Sequence, residues 1–301
     1  MQDAATRGDR WTTIGTGVTL SVVIDLDVFD LPADHPGVAD DAYRRRRAAI
    51  AEVAARFRPG EPIPDVTYVE EEDEVWRTVA SELARKHERL ACSAYLEGAH
   101  RLGLRSDRVP QLQEVSERLF SLTGFRIEPV SGLVPTRVFY GALADRVFLA
   151  TQYVRHHSVP FYTPEPDVIH EVIGHCNALA HPELAELYRL AGEASRRCRT
   201  DEALEFFSRV FWFSLEFGVA WERGELHTYG AGLLSSYAEI EKFREAECRP
   251  LDVVEMGTTS YDITHYQPTL FAATSFDAAV DALAEFFAHF DDGAWQRLRV
   301  S

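Results

Sequence analysis

Basic residues are scarce in this chain. Thirty-one lysines and arginines face 48 aspartates and glutamates, a formal net charge of −17. Such a field repels phosphate backbones and anionic headgroups, so neither nucleic acid nor a membrane surface is an expected partner. Long apolar runs are missing too. No stretch approaches the length of a bilayer span, and no basic segment followed by an apolar one opens the chain, so neither a transmembrane helix nor a secretory signal is expected. Cysteine is confined to Cys92, Cys176, Cys198 and Cys248, with no CxxC spacing among them. That scatter reads as reduced thiols in a cytoplasmic protein rather than a disulfide framework. No repeat, low-complexity tract or linker divides the 301 residues. Hydrophobic residues make up 46% and aromatic residues 11%, enough to bury a sizeable core.

The pattern along the chain predicts a mainly α fold with a small β component: one domain over residues 31–301, preceded by an N-terminal arm, residues 1–30, of unassigned role. Within the arm, Val18–Leu26 is rich in β-branched residues and reads as a strand or an ordered arm. The run Arg44-Arg45-Arg46-Arg47 leads into Ile50, Val53, Ala54 and Phe57 at helical spacing, so it reads as a solvated helix face. Pro59–Pro64 is a break. Glu70-Glu71-Glu72-Asp73 then starts a long helix, with an apolar stripe through Trp76, Val79, Leu83, Leu90 and Ala91. A second helix is expected around Gln111–Thr123. Short β-like pieces follow at Phe125–Val130, Arg137–Tyr140 and Arg146–Tyr153. Beyond them the pattern gives helices at Pro182–Arg197, from Asp201 to about Glu222, and near Ser275–His289, where Phe276, Val280, Leu283 and Phe287 share a face. A loop holding Gly230 and Gly232 lies between the last two.

Chemistry concentrates in Glu165-Pro166-Asp167-Val168-Ile169-His170-Glu171-Val172-Ile173-Gly174-His175. Asp167 is a credible N-cap after Pro164 and Pro166. Two histidines on one short element suggest a metal, because imidazole is the commonest side-chain ligand. The likeness to the zinc-protease signature His-Glu-x-x-His fails by one residue. Five residues on a regular helix turn through roughly 500°, leaving the side chains about 140° apart. They can converge if the metal lies near the helix end, with a bend at Gly174. His170 in the first turn is kept neutral by the helix dipole, which suits a ligand.

Glu216 is a lone carboxylate in the apolar run Phe206–Phe217. An unpaired buried carboxylate costs several kcal/mol, so it needs a cation, a proton or a way to solvent. Arg209 or Arg223 could serve as its partner; so could a metal. If His170, His175 and Glu216 meet, they form the two-histidine, one-carboxylate face of a non-haem Fe(II) oxygenase, though a catalytic zinc uses the same set. Arg155, fifteen residues before His170, offers a fork for a substrate carboxylate, or is a surface arginine. Thr228–Ser236 carries a Gly-x-Gly that reads as a tight turn able to bring donors near a small anion.

Taken together, these segments resemble the pterin-dependent aromatic amino acid hydroxylases, and among them the short bacterial phenylalanine hydroxylases. The likeness rests on Pro129-Val130-Ser131-Gly132-Leu133, Thr151-Gln152-Tyr153-Val154-Arg155-His156, Tyr162-Thr163-Pro164-Glu165-Pro166-Asp167, His170-Glu171 with Gly174-His175, Trp212 with Glu216-Phe217-Gly218, and Gly230 through Ser236. Asp34-His35-Pro36-Gly37 and Trp76-Arg77-Thr78-Val79 extend it toward the N-terminus, so that it spans roughly residues 31–290. The resemblance implies Fe(II) on His170, His175 and Glu216, a tetrahydropterin (tetrahydrobiopterin or a bacterial analogue), and O2 as co-substrate. It implies that Arg155 grips the amino acid carboxylate with Thr163, Gly232 and Ser235 nearby and Asp167 behind it. Trp212, Phe217 and Pro166 would wall the ring pocket, with Tyr261 close by. Phe139 would stack on the pterin beside Gly132, Leu133, Val134 and the Glu171 carboxylate. One oxygen atom becomes the ring hydroxyl and the other leaves on the pterin.

Departures sharpen this expectation. Leu149 and Phe211 stand where animal phenylalanine hydroxylases carry histidine and tyrosine, and Val134-Pro135-Thr136 replaces their Leu-Ser-Ser. Trp212 and Ile263 differ from the usual phenylalanine of tryptophan hydroxylases and the aspartate of tyrosine hydroxylases, which favours free L-phenylalanine as substrate. The expected product is L-tyrosine. The alternatives are a relative acting on tryptophan or at the meta carbon of phenylalanine and, from another class, a zinc hydrolase. The chain shows neither the animal regulatory domain nor their tetramerising tail, so a cytoplasmic monomer is expected.

Overall fold

A computed structural model describes residues 11–14, 18–21, 31–263 and 265–299. The expected N-terminal arm falls outside these except for Trp11–Ile14 and Val18–Ser21, which pair antiparallel. Helices dominate the rest. The longest, Glu70–Leu90, opens on four acidic residues, where the positive end of its dipole favours them. The Glu72 carboxylate accepts the backbone N–H of Val69 at 2.9 Å and closes the first turn. Val75, Trp76, Val79, Leu83 and Leu90 recur on one buried face, as the spacing predicts. Helices Leu112–Thr123, Pro182–Arg197 and Phe276–His289 also appear as expected. Ser275 caps the last of them, its hydroxyl accepting the N–H of Ala278 at 3.0 Å. Among the described residues, no helix is long and apolar enough to cross a membrane.

The structure corrects several local expectations. Arg137–Tyr140 is helical, inside Thr136–Leu143, despite its β-branched and aromatic residues. Pro135 starts it by accepting from Val138 and Phe139 at 2.8 and 3.0 Å; the helix packs against Pro182–Arg197, its Leu143 in the main core and its Ala142 against Val147 and Leu149. Tertiary packing outweighs intrinsic propensity there. The helix expected from Asp201 to Glu222 stops short. Asp201–Phe211 is α-helical, Trp212–Glu216 widens, and Val219–Glu222 becomes a strand. Arg223 and Gly224, at φ 53° and 85°, form a two-residue turn into the strand Glu225–Thr228. The expected Gly230 loop is thus mostly a hairpin and a short helix, Ala231–Ser235. Parallel pairing adds Thr269–Ala273 and then Glu247–Pro250, giving a four-stranded sheet. A separate parallel pair, Arg126–Pro129 with Val147–Ala150, accounts for the other expected strands.

The arginine run is corrected in part. Arg44 and Arg45 are exposed, but Arg47 is buried, bonds Glu165 at 2.6 Å and lies 3.9 Å from the centre of the Tyr153 ring. Helical spacing puts Arg47 on the same face as Tyr43 and Ile50. Its partner is 118 residues away, which no local pattern reveals. That ion pair pins the Asp41–Ala54 helix onto the turn that precedes His170.

Candidate active site

The two histidines do not converge through a bend at Gly174. His170–Cys176 winds as a π-helix, whose hydrogen bonds join residues five apart. Five-residue spacing therefore sets His170 and His175 on one face, with ring centres 4.6 Å apart. Asp167 caps the entry as expected, its Oδ1 accepting the N–H of His170 at 3.2 Å. Gly174 serves close packing instead: a Cβ there would lie 2.8 Å from the carbonyl oxygen of Ala231. With only hydrogen in that place, the Ala231–Ser235 helix lies against the turn and brings Ser235 Oγ to 2.8 Å from His170 Nδ1.

Glu216 arrives on a second π-turn, Trp212–Glu216, closed by Phe217 N–H donating to the Trp212 carbonyl at 2.8 Å. Neither arginine considered for it is its neighbour. Arg209 pairs with Glu205, while Glu216 Oε1 lies 3.2 Å from His175 Nε2 and its Oε2 4.0 Å from His170 Nε2. The Gly230 backbone passes beneath, where a Cβ would lie 2.3 Å from the Glu216 carbonyl oxygen.

The ligand atoms of His170, His175 and Glu216 all fall within 4.8 Å of one another, the only such group among the described residues. Hydrogen bonding decides what they present. Ser235 Oγ donates to the Ala231 carbonyl at 2.9 Å, so it accepts from His170 Nδ1–H. Tyr188 Oη lies 2.8 Å from His175 Nδ1 and 3.5 Å from the Leu215 carbonyl oxygen, so it can accept from Nδ1–H while donating to Leu215. Both Nε2 atoms are then lone pairs facing each other at 3.0 Å, with a carboxylate beside them. Three converging groups of this kind need a proton or a cation between them, and two imidazoles with one carboxylate fit a metal. Burial, reinforced by neighbouring His175, pushes the His170 pKa down to about 4. Burial also acts to lower that of His175, but the Glu216 carboxylate outweighs it and raises the value. Burial raises Glu216, and His175 more than reverses this.

Arg155 is buried rather than a surface residue. Its Nε and Nη2 donate to the two oxygens of the fully buried Asp167 at 2.9 and 2.8 Å. A cavity of about 230 Å³ adjoins His170, His175 and Glu216. Gly132, Leu133, Val134, Phe139 and Glu171, assigned to the pterin, and Pro166, assigned to the substrate ring, line it together with Tyr140, Leu149 and Thr151, which were assigned no role. Glu171 Oε1 accepts from the N–H and hydroxyl of Thr151, both at 3.2 Å, and burial pushes its pKa up to about 7.

A sequence model of the family described as biopterin-dependent aromatic amino acid hydroxylase matches residues 20–294. The chain belongs to that family. The hydroxylase is 48% identical over 258 residues to a phenylalanine 3-hydroxylase of Streptomyces coeruleorubidus, covering 86% of this chain and 92% of that one. It is 42% identical to a phenylalanine-4-hydroxylase of Caenorhabditis elegans, with 86% of this chain matched to 58% of the nematode protein. The hydroxylase fold is similar to the phenylalanine hydroxylase of Chromobacterium violaceum solved with bound oxidised Fe(III), with a TM-score of 0.71 and 30% identity over 77% of this chain and 84% of that one. Family membership removes the zinc-hydrolase reading.

The remaining expected site residues of the hydroxylase are more scattered. Thr163 Oγ1 bonds the Glu165 carbonyl at 2.7 Å within its own turn. Phe217 packs on Gly232, where a Cβ would lie 2.8 Å from the ring. Trp212 stacks on Tyr261 at 4.3 Å, and its Nε1 donates to Gln267 Oε1 at 3.2 Å. Sequence reasoning missed Gln267 and Tyr188. Tyr188 shares a helical face with Leu184 and Ala191, so it reads as an ordinary core aromatic.

Proposed function

We propose that this hydroxylase uses Fe(II), a tetrahydropterin and O2 to hydroxylate the ring of free L-phenylalanine. The observation that carries this is the convergence of His170, His175 and Glu216 beside the buried Arg155–Asp167 pair and the adjoining cavity. Iron held by the three ligands would supply the activation of oxygen. The chain's own groups do the rest. The open edge of Arg155 takes the amino acid carboxylate through parallel charged hydrogen bonds, and Asp167 keeps that edge aimed. Phe139 and the Gly132–Val134 backbone give the pterin an apolar wall. The Glu171 carboxyl, held by Thr151, offers it a polar partner. Trp212, Phe217 and Pro166 exclude water from the substrate ring.

The ring position is a finer assignment. Likeness to the streptomycete phenylalanine 3-hydroxylase over nearly its whole length favours the meta carbon. The para product expected from the sequence is the second reading, supported by the nematode 4-hydroxylase. Purified protein incubated with Fe(II), tetrahydropterin, oxygen and phenylalanine is expected to yield 3-hydroxyphenylalanine, identified chromatographically against authentic 3- and 4-hydroxy standards. Tyrosine as the main product would select the para reading. An absence of pterin-dependent hydroxylation of any aromatic amino acid would overturn the proposal. We carry residues 31–301 as the catalytic unit and a monomer as the assembly, which sedimentation can check.

A further inference from the structure

We propose that Tyr188 is a positioning residue for the metal centre, fixing the tautomer of His175 and tying together the two turns that carry the ligands. The inference rests on the metalloenzyme reading above. The phenol is fully buried on the Pro182–Arg197 helix, an element that bears no ligand of its own. Its Oη lies 2.8 Å from His175 Nδ1 and 3.5 Å from the carbonyl oxygen of Leu215, the residue before Glu216. One hydroxyl thus bridges the π-turn of His175 and the π-turn of Glu216. Its ring meets those of His175 and Phe211 edge-on at 5.8 and 5.9 Å, which holds the phenol in place. A His175 that binds a metal through Nε2 carries its proton on Nδ1, so Tyr188 accepts there and turns its own hydrogen toward the Leu215 carbonyl. Nε2 then faces His170 and Glu216 as a lone pair ready to bind a cation. Ser235 does the same for His170. A ligand histidine whose outer nitrogen is held by a hydrogen bond enters the metal shell already oriented, and losing such a partner typically weakens metal affinity about 10–100-fold.

Tyr188→Phe removes one oxygen and keeps the ring. Metal binding is read by calorimetric titration with Co(II) as the probe, and the cobalt absorption spectrum reports ligand geometry. The variant is expected to bind Co(II) about 10–100-fold more weakly than the wild type, with an altered spectrum. Leu184→Ala, a cavity in the same helix, is the packing control: it should lower the thermal midpoint without that loss of affinity. Equal affinity and an unchanged spectrum in Tyr188→Phe would overturn the proposal. So would a loss in Leu184→Ala as large as in Tyr188→Phe. If Tyr188→Phe does not fold, histidine 15N–1H correlation spectra of the metal-free wild type settle the point. They should place the His175 proton on Nδ1, and a proton on Nε2 would refute the role. Failure of the wild type to bind any divalent metal would instead sink the metalloenzyme reading.

Discussion

Replacing Glu216 with alanine is expected to abolish hydroxylation and to lower the stability of the metal-free protein. The carboxylate is the one anion of the ligand set, placed 3.2 Å from one Nε2 and 4.0 Å from the other. Groups outside the ligand shell are worth about 10–100-fold in metal affinity, so removing a ligand that also carries the neutralising charge must cost more than about 100-fold. Stability falls as well. Burial alone would raise the Glu216 pKa, but His175, His170 and a backbone donor more than reverse this, so the carboxylate is net stabilised in the metal-free fold. Alanine forfeits that interaction and leaves His175 without its anionic neighbour. The metal-free thermal midpoint should fall. Added Fe(II) or Co(II) should raise the midpoint of the wild type by mass action and leave that of Glu216→Ala unmoved. Hydroxylation by the variant within about tenfold of the wild type would show that the ligand set is wrong.

What the sequence disclosed and what it withheld divide along physical lines. The long helices were legible because their apolar positions repeat at the helical period and acidic residues mark the start of Glu70–Leu90. For Glu216 the residues alone left an arginine or a metal open; the family resemblance singled out His170, His175 and Glu216, which the structure brings together. The π-turns were not legible, since a one-residue widening has no compositional mark; the five-residue spacing looked like a defect until the winding explained it. The Thr136–Leu143 helix was hidden because its propensity points to strand and only packing overrides it. Arg47 and Tyr188 were hidden for a further reason. Each acts on a partner that its own neighbourhood in sequence does not contain, and a side chain at a helical core spacing looks the same whether it fills space or holds a ligand.

The second large effect is expected at Arg155, where substrate binding and stability fall together. Arg155→Ala should raise the KM for phenylalanine far more than it lowers kcat, with a loss in kcat/KM of roughly 10²–10³, since hydrogen bonds between charged groups are worth about 1.5–3 kcal/mol each. The substitution also strands Asp167, which is fully buried and holds its low pKa against burial chiefly through the guanidinium. Breaking a buried pair by removing one partner typically costs about 3–5 kcal/mol. Here the backbone N–H groups of residues 155 and 170 still donate to Asp167, at 2.9 and 3.2 Å, and soften that loss. A lower thermal midpoint and a weaker grip on substrate should therefore appear together. Asp167→Asn separates them. Its side chain keeps one acceptor for Arg155 and fills the same space, so the fold should survive. The guanidinium loses its anionic anchor, and the aim of the Nη1–Nη2 edge should loosen. A KM that rises in Asp167→Asn, with a thermal midpoint close to the wild type, would assign Asp167 to orienting Arg155. An unchanged KM in Arg155→Ala would show instead that the pair holds only the turn before His170, and that the substrate carboxylate is bound elsewhere.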